Sequence, residues 1–321
     1  MKSSDTQSNQ SSKRVKLIFN PGSGANSESP EQLMDVIKQL QTWEYTPETY
    51  MVKPDSNLGG AVRDAIMQGI QLFVVCGGDG TVSAVARELI GQNATLGIIP
   101  TGTQNNVAYS LGIPTDIPIA IDLLKTGRRT KVDVGIAACG NRNTPFLEVC
   151  SVGLFSTIFP SGDDIQHGNL LRIGDFLAAL VSYPPAEIRL LLDDEQEIRQ
   201  LGHVLLISNM PYVIRHYQVA SKASYKDGLL DILFFAGLSK LDLMGYVLKG
   251  PGKGMPKDPR IQHFRVRGVE IDTAPAMPVM ADGIMLGEGR VHIEVREHAL
   301  SVMTARPTPR VPKKSGEMIE K

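Results

Sequence analysis

The hydrophobic pattern of this chain changes period near its middle. Residues 15–20 (Val-Lys-Leu-Ile-Phe-Asn) form a β-branched apolar run cut off by Pro21-Gly22, which predicts a buried strand. Residues 30–41 then carry Leu33, Val36, Ile37 and Leu40, the spacing of one helix face. The same reading continues with a strand at 48–52, a helix at 61–69, a strand at 71–76, a helix at 82–91 ending on Gly91, and a strand at 95–100. Strands alternating with helices predict a parallel sheet covered on both faces.

From about residue 132 the helices thin out. Strands are predicted at 131–137, 144–149, 186–192, 203–208, 229–236, 268–273, 279–281 and 290–295, several with the alternation of half-buried antiparallel strands. Helices are predicted at 170–181 and 239–248. The expected fold is an α/β N-terminal domain with a parallel sheet (residues 14–131), followed by a β-sandwich C-terminal domain (residues 132–305). The cleft between them is the natural place for a ligand. Residues 1–13 and 306–321 lack apolar periodicity and are expected to be a disordered leader and tail.

Composition adds limits. With 321 residues, 42% hydrophobic and 21% charged, the chain can build two ordinary cores without a metal or disulfide staple. A net charge of -1 offers no electrostatic footprint for nucleic acid. Cys76, Cys139 and Cys150 are odd in number and make no CxxC pair, so reduced buried thiols and a cytoplasmic location are expected. The N-terminal residues lack the apolar core of a signal peptide, and no apolar run reaches the roughly 18–20 residues of a membrane span. Any contact with a membrane would therefore be peripheral, at its surface. Oligomeric state stays open, a homodimer being one option.

The chemistry lies in three loops. The strand ending at Cys76 runs into Gly77-Gly78-Asp79-Gly80-Thr81, and a helix follows through Val82 and Ser83. Glycines let the backbone approach a ligand closely, and the next helix aims its N–H groups and positive dipole end there, which suits phosphate. Asp79 is the one acid in the loop, placed to hold Mg²⁺ or to orient a group for transfer. Asn20-Pro21-Gly22-Ser23-Gly24 follows the first strand with the same mechanics, although Asn-Pro-Gly is also a good turn. It is not a Walker A loop, because no Gly-Lys-Ser/Thr follows. Thr101-Gly102-Thr103-Gln104-Asn105-Asn106 follows the strand at 95–100. Three such loops on strands of one sheet converge on one edge.

Together these residues resemble the diacylglycerol kinase catalytic-domain family, in its bacterial lipid-kinase branch with sphingosine-kinase-like relatives. Leu111-Gly112-Ile113-Pro114, Asp227-Gly228-Leu229-Leu230-Asp231 and Asp282-Gly283 extend the likeness, which spans residues 15–304. The resemblance implies ATP and Mg²⁺ in the cleft and transfer of the γ-phosphoryl group to a lipid hydroxyl such as that of diacylglycerol. It implies ATP contacts from Asn20, Pro21, Gly22, Ser23, Gly24, Gly77, Gly78, Asp79, Gly80, Thr81, Val82, Ser83, Thr103 and Asn105, with Thr49 a weaker candidate. It also implies a metal site at Asp227 with main-chain groups of Ser224 and Leu229, and catalytic roles for Asp79 and Asp282.

Two departures matter. The family usually reads Asp-Gly-Glu at its C-terminal motif, where the Glu is the proposed base; here the triplet is Asp282-Gly283-Ile284, and isoleucine accepts no proton. Glu288 follows four residues on but aligns poorly with that base. Asn106 also stands where the family often has Asp. A nucleotide-binding protein with a degenerate site is thus one alternative, and an NAD kinase-like or phosphofructokinase-like enzyme another. The basic stretch 249–260 reads as a solvated loop, or else a contact for anionic lipid. Residues 154–160 read as core, or else the wall of an acyl pocket.

Overall fold

A computed structural model of the chain describes residues 13–24, 29–158, 184–213, 217–219, 222–248 and 258–306. Residues 1–12 and 307–321, the helix expected at 170–181 and most of the basic stretch (249–257) lie outside these.

Strands β1 (Lys13–Phe19), β2 (Tyr45–Met51), β3 (Leu72–Gly77) and β4 (Thr95–Pro100) pair in parallel in the order β2-β1-β3-β4. Period-two alternation splits their side chains between two cores. Val15, Leu17, Val74 and Cys76 face α1 (Ser29–Thr42) and α5 (Ile117–Thr126). Ile18, Phe73 and Val75 face α2 (Leu58–Met67), α3 (Asp79–Leu89) and α4 (Asn106–Ser110). Helix α5 is absent from the elements that the sequence predicts, and it contains Pro118. This proline sits in the first turn, where a missing N–H costs nothing, and Asp116 caps the helix through the Ile119 N–H at 3.0 Å.

Two long strands join this sheet to the second half. β5 (Arg128–Cys139) runs antiparallel to β17 (Val291–Thr304) along most of their length. The first residues of β17 pair with β14 (Gly268–Ala274), whereas Val302 pairs in parallel with Leu96 of β4. The register shifts between Arg296 and Leu300, where His298 takes a φ of 53°. The expected boundary after residue 131 therefore falls inside β5, and residues 300–304 lie in the sheet of the first domain.

The remaining strands build an antiparallel sandwich: β6 (Arg142–Phe146), β7 (Val149–Gly153), β8 (Ala186–Leu192), β9 (Gln196–Ser208), β12 (Leu230–Ala236), β13 (Ile261–Val266), β15 (Pro278–Ala281) and β16 (Ile284–Glu288). β10 (Tyr212–Val213) and β11 (Tyr217–Gln218) form a separate ribbon. Phe146, Ile188, Leu190 and Phe234 are fully buried between the layers. On the outer face of β7 and β9, α6 (Leu154–Ile158) and α7 (Lys240–Leu248) contribute Leu154 and Leu243 to a smaller core, with Phe155 packed against it. Leu154 is thus a core residue and Phe155 is partly buried against it, while residues 159–160 of the expected segment lie outside the described residues. Cys76, Cys139 and Cys150 are buried free thiols, and burial pushes that of Cys76 up to about 12.

Gly135 on β5 leaves room for the Phe146 ring, since a Cβ there would lie 2.1 Å from it. Phe146 has no exposed surface and nowhere to move. Gly135→Ala should destabilise the protein by about 1–3 kcal/mol, read as a lower urea midpoint at unchanged m-value.

Candidate active site

The chain order of the parallel strands reverses between β1 and β3, so their carboxyl ends open a crevice. The loops after β1, β3 and β4 meet there. Asn20 leads the first: its N–H bonds the Cys76 carbonyl at 2.9 Å, and its side-chain amide donates to Thr81 Oγ1 at 2.8 Å. Its own side-chain oxygen accepts the Gly22 N–H, closing a turn that lifts Gly22 and Ser23 from the sheet. Ser23 shares a 2.8 Å hydrogen bond with the Thr101 hydroxyl, tying the first loop to the third.

The second and third loops touch backbone to backbone. A Cβ on Gly102 would lie 2.4 Å from the Gly78 Cα, and one on Gly24 would lie 2.4 Å from the Thr101 carbonyl oxygen. These glycines permit the packing, and Gly24, at φ 90°, also needs the conformational freedom. Gly78 precedes α3 with no side-chain cap, and the first intrahelical bond runs from Val82 N–H to Gly78 O. The opening turn of α3 therefore points its main-chain N–H groups into the crevice, an anion-binding arrangement. Around Gly80 there is open space.

Asp79 is not simply presented to a ligand. Its two carboxylate oxygens accept the N–H groups of Asn106 and Val107, at 3.1 and 3.0 Å, and so hold the start of α4 against the start of α3. Asn105 enters α4 at φ 52°, with its side chain bonded both ways to Gly102. Thr103 is exposed on the same loop. Thr49 is not brought to the group: it is exposed on edge strand β2, level with Leu17 and short of the carboxyl end.

Asp282 closes the other wall. It follows β15 at φ 42° and accepts the N–H groups of Leu147, Glu148 and Val149 at 2.6, 3.0 and 3.0 Å. The single strand expected at 144–149 is broken here into β6 and β7, because a carboxylate takes the N–H groups that a ladder would use. The turn presents Glu148, whose Oε1 accepts the Asn106 side-chain amide at 2.8 Å. A continuous relay thus runs from Asp282 through Glu148 and Asn106 to Asp79. Glu148 carried no signal in the sequence, where it sits within an apparent strand.

The segment around Asp227 is pinned by a second buried acid. Asp133, on β5, accepts the Gly228 N–H at 2.8 Å and the His298 N–H at 2.7 Å. The side-chain amide of Asn209 bonds the Asp133 and Leu147 carbonyls, linking this segment to the Asp282 turn. Asp227 itself accepts the Leu229 N–H at 3.3 Å and pairs with Arg265. Burial pushes its carboxyl above the ordinary value, against the pull of Arg265. Arg265 also lies 3.4 Å from Asp231, which is almost fully buried and bonded to His263 at 2.7 Å.

The Asp227 carboxylate is thus taken by donors, and Leu229 turns its N–H toward it. This does not fit the metal shell expected from Ser224, Asp227 and Leu229: the guanidinium of Arg265 supplies the positive charge. Among the described residues, no group of three or more His, Cys, Asp or Glu side chains is placed to hold a metal.

Comparison with known proteins agrees with this architecture. Residues 14–137 match the diacylglycerol kinase catalytic domain, and residues 166–304 match the YegS C-terminal NAD kinase beta sandwich-like domain. The chain belongs to the diacylglycerol kinase catalytic-domain family. A diacylglycerol kinase of Bacillus subtilis is 24% identical over 278 residues, covering 84% of this chain and 89% of that protein. One of Mycobacterium tuberculosis is 28% identical over 263 residues, covering 78% and 84%. The crystal structure of a diacylglycerol kinase from Bacillus anthracis superposes with a TM-score of 0.71 at 21% identity, covering 91% of this chain and 97% of that one. That likeness establishes the shared fold.

Within the family pattern, Ile284 is a half-buried residue packed against the sandwich core. Glu288 pairs with Pro278 at the far end of the β15–β16 hairpin, exposed and about 13 Å along the strand from Ile284. It does not approach the Asp282 turn.

Two outcomes follow from these contacts. Asp282→Ala leaves three N–H groups without their acceptor and should lower stability by on the order of 3 kcal/mol in chemical denaturation, with Asp282→Asn less severe. The melting temperature of the wild type should be insensitive to EDTA, whereas Arg265→Ala should melt lower and regain stability on adding Mg²⁺ or Ca²⁺, as differential scanning fluorimetry would read.

Proposed function

We propose that the chain is an ATP-dependent kinase that transfers the γ-phosphoryl group to a lipid hydroxyl of the diacylglycerol kind, working peripherally at a membrane surface. The observation that carries this reading is the meeting of three glycine-bearing loops at the β1/β3 crevice, bound together by Asp79 and facing an uncapped helix start. Phosphoryl transfer needs little covalent help from a protein, because positioning and charge stabilisation dominate. The loops suit that task. Main-chain N–H groups of residues 78–81 and of Gly24 would hold the phosphates, with Thr81, Ser83, Thr103 and Asn105 beside them. A divalent cation arriving with the nucleotide, Mg²⁺ above all, would neutralise phosphate charge.

Family membership supports phosphotransfer, and the lipid acceptor is inferred from the relatives called diacylglycerol kinases. Among the described residues no helix is long and apolar enough to cross a membrane, so the acceptor would be taken from the bilayer surface. A second reading, nucleotide binding with negligible turnover, is favoured by Ile284 at the place of the family's base.

Purified protein given Mg-ATP and mixed micelles of a short-chain 1,2-diacylglycerol should yield a phosphorylated lipid. Gly102→Ala should cut kcat/KM by roughly 10²-fold, since it forces the second and third loops apart by the ångström or so that positioning cannot tolerate. ATP binding without a phosphorylated product, across lipid alcohols and divalent metals, would favour the second reading. Product formed from NAD but not from lipid would move the enzyme to the NAD kinase-like class.

A further inference from the structure

A kinase with isoleucine at position 284 still needs somewhere for the acceptor's proton to go. Four carboxylates lie near the places where one would be sought, and geometry removes three of them. Asp79 has both oxygens on the N–H groups of α4, and Asp282 has both on the 147–149 turn. Glu288 is exposed at the far end of its hairpin.

Glu148 is placed differently. It is half-buried, on a turn of the second domain that faces the third phosphate loop of the first. Its backbone is fixed at three consecutive positions by Asp282, and its carbonyl accepts the Asn209 N–H at 3.0 Å. Its side chain is aimed by Asn106, the residue after Asn105 in the third loop and itself bonded through its N–H to Asp79. The carboxylate is therefore held on rigid elements, against the phosphate loops, at the turn clamped by the Asp-Gly-Ile triplet. Val149, its neighbour, accepts the Asp282 N–H, and Ala281 pairs with Ile284 across the hairpin, so Glu148 and position 284 share one corner. Other charges in the corner are Asp79 and Arg87 on α3 and Asp282; burial draws the Arg87 guanidinium down while Asp282 draws it up.

We propose that Glu148 is the general base of this enzyme, doing from β7's entry the task that position 284 cannot. The proposal rests on the kinase reading above. In the step, the acceptor hydroxyl oxygen forms a bond to the γ-phosphorus of a nucleoside triphosphate as its proton passes to the Glu148 carboxylate. The bond from that phosphorus to the bridging oxygen breaks, and the nucleoside diphosphate leaves with the electron pair. Asn106 is a positioning residue: its amide orients the carboxylate without touching the acceptor.

The test uses full-length protein, ATP and short-chain 1,2-diacylglycerol in mixed micelles. Glu148→Gln keeps the oxygen that Asn106 bonds, so it should leave ATP affinity unchanged. It should lower kcat about 10²–10⁴-fold and abolish the fall of kcat toward acid pH. Adding Ile284→Glu to that variant should return activity from the other side of the same corner. If Glu148→Gln does not fold, Glu148→Asp decides: a lowered kcat with the acid limb intact supports the assignment, and a wild-type kcat overturns it. Glu148→Gln turnover within about threefold of wild type, or a loss of ATP affinity as large as the loss of rate, overturns the assignment alone. A wild type that binds ATP yet phosphorylates no alcohol overturns the kinase reading and this assignment together.

Discussion

One carboxylate organises the cleft. Asp282 receives the N–H groups of Leu147, Glu148 and Val149 in succession, and three donors in a row on one anion are worth more than the ladder bonds they replace. Their geometry forces the chain to leave one strand and start another. Because β6 and β7 diverge there, the turn between them can lean across to the glycine-bearing loops of the first domain. The amide of Asn106 reaches Glu148 from the far side, and Asp79 holds the backbone of Asn106. The walls of the cleft are thus joined by hydrogen bonds between elements that neither sheet alone would bring together.

Asp133 works by the same device at the opposite end of the turn. Buried within β5, it fixes Gly228 and the bulged backbone at His298. Asn209 then connects the two anchored regions through carbonyls of Asp133 and Leu147. A third link is made by α4, whose Ser110 hydroxyl bonds the backbone of Tyr212, while the Tyr109 and Tyr212 rings meet edge to face at 4.7 Å. Such cross-domain polar contacts are satisfied only in one arrangement, which gives the glycine-bearing loops a defined distance from the second domain.

The first domain was legible because its signals are local. β-branched runs, helical spacing and glycines after strands place the sheet and the three loops without knowledge of the rest of the chain. What escaped was decided by partners far away in sequence. Residues 144–149 alternate as a strand does, and only Asp282 breaks them. Arg265 reads as one basic residue among several, yet β13 sets it directly across from Asp231, where it neutralises Asp227. Thr49 shows the converse: a plausible residue type stands on edge strand β2, two residues short of its carboxyl end at Met51. Asp79 and Asp282 stand on the two walls of the cleft, but their bonds to backbone N–H groups cannot be read from their positions in the sequence.

The passage of β17 from one sheet into the other bears on how the chain matures. β4 has β3 on one side, and its remaining edge is closed by Val302. During synthesis the α/β half therefore emerges with an unpaired edge, and the strand that seals it is made after the whole sandwich. Pairings between such distant residues form slowly. Completion of the two halves is for that reason a single event, with the exposed edge of β4 the surface most in need of protection until it occurs.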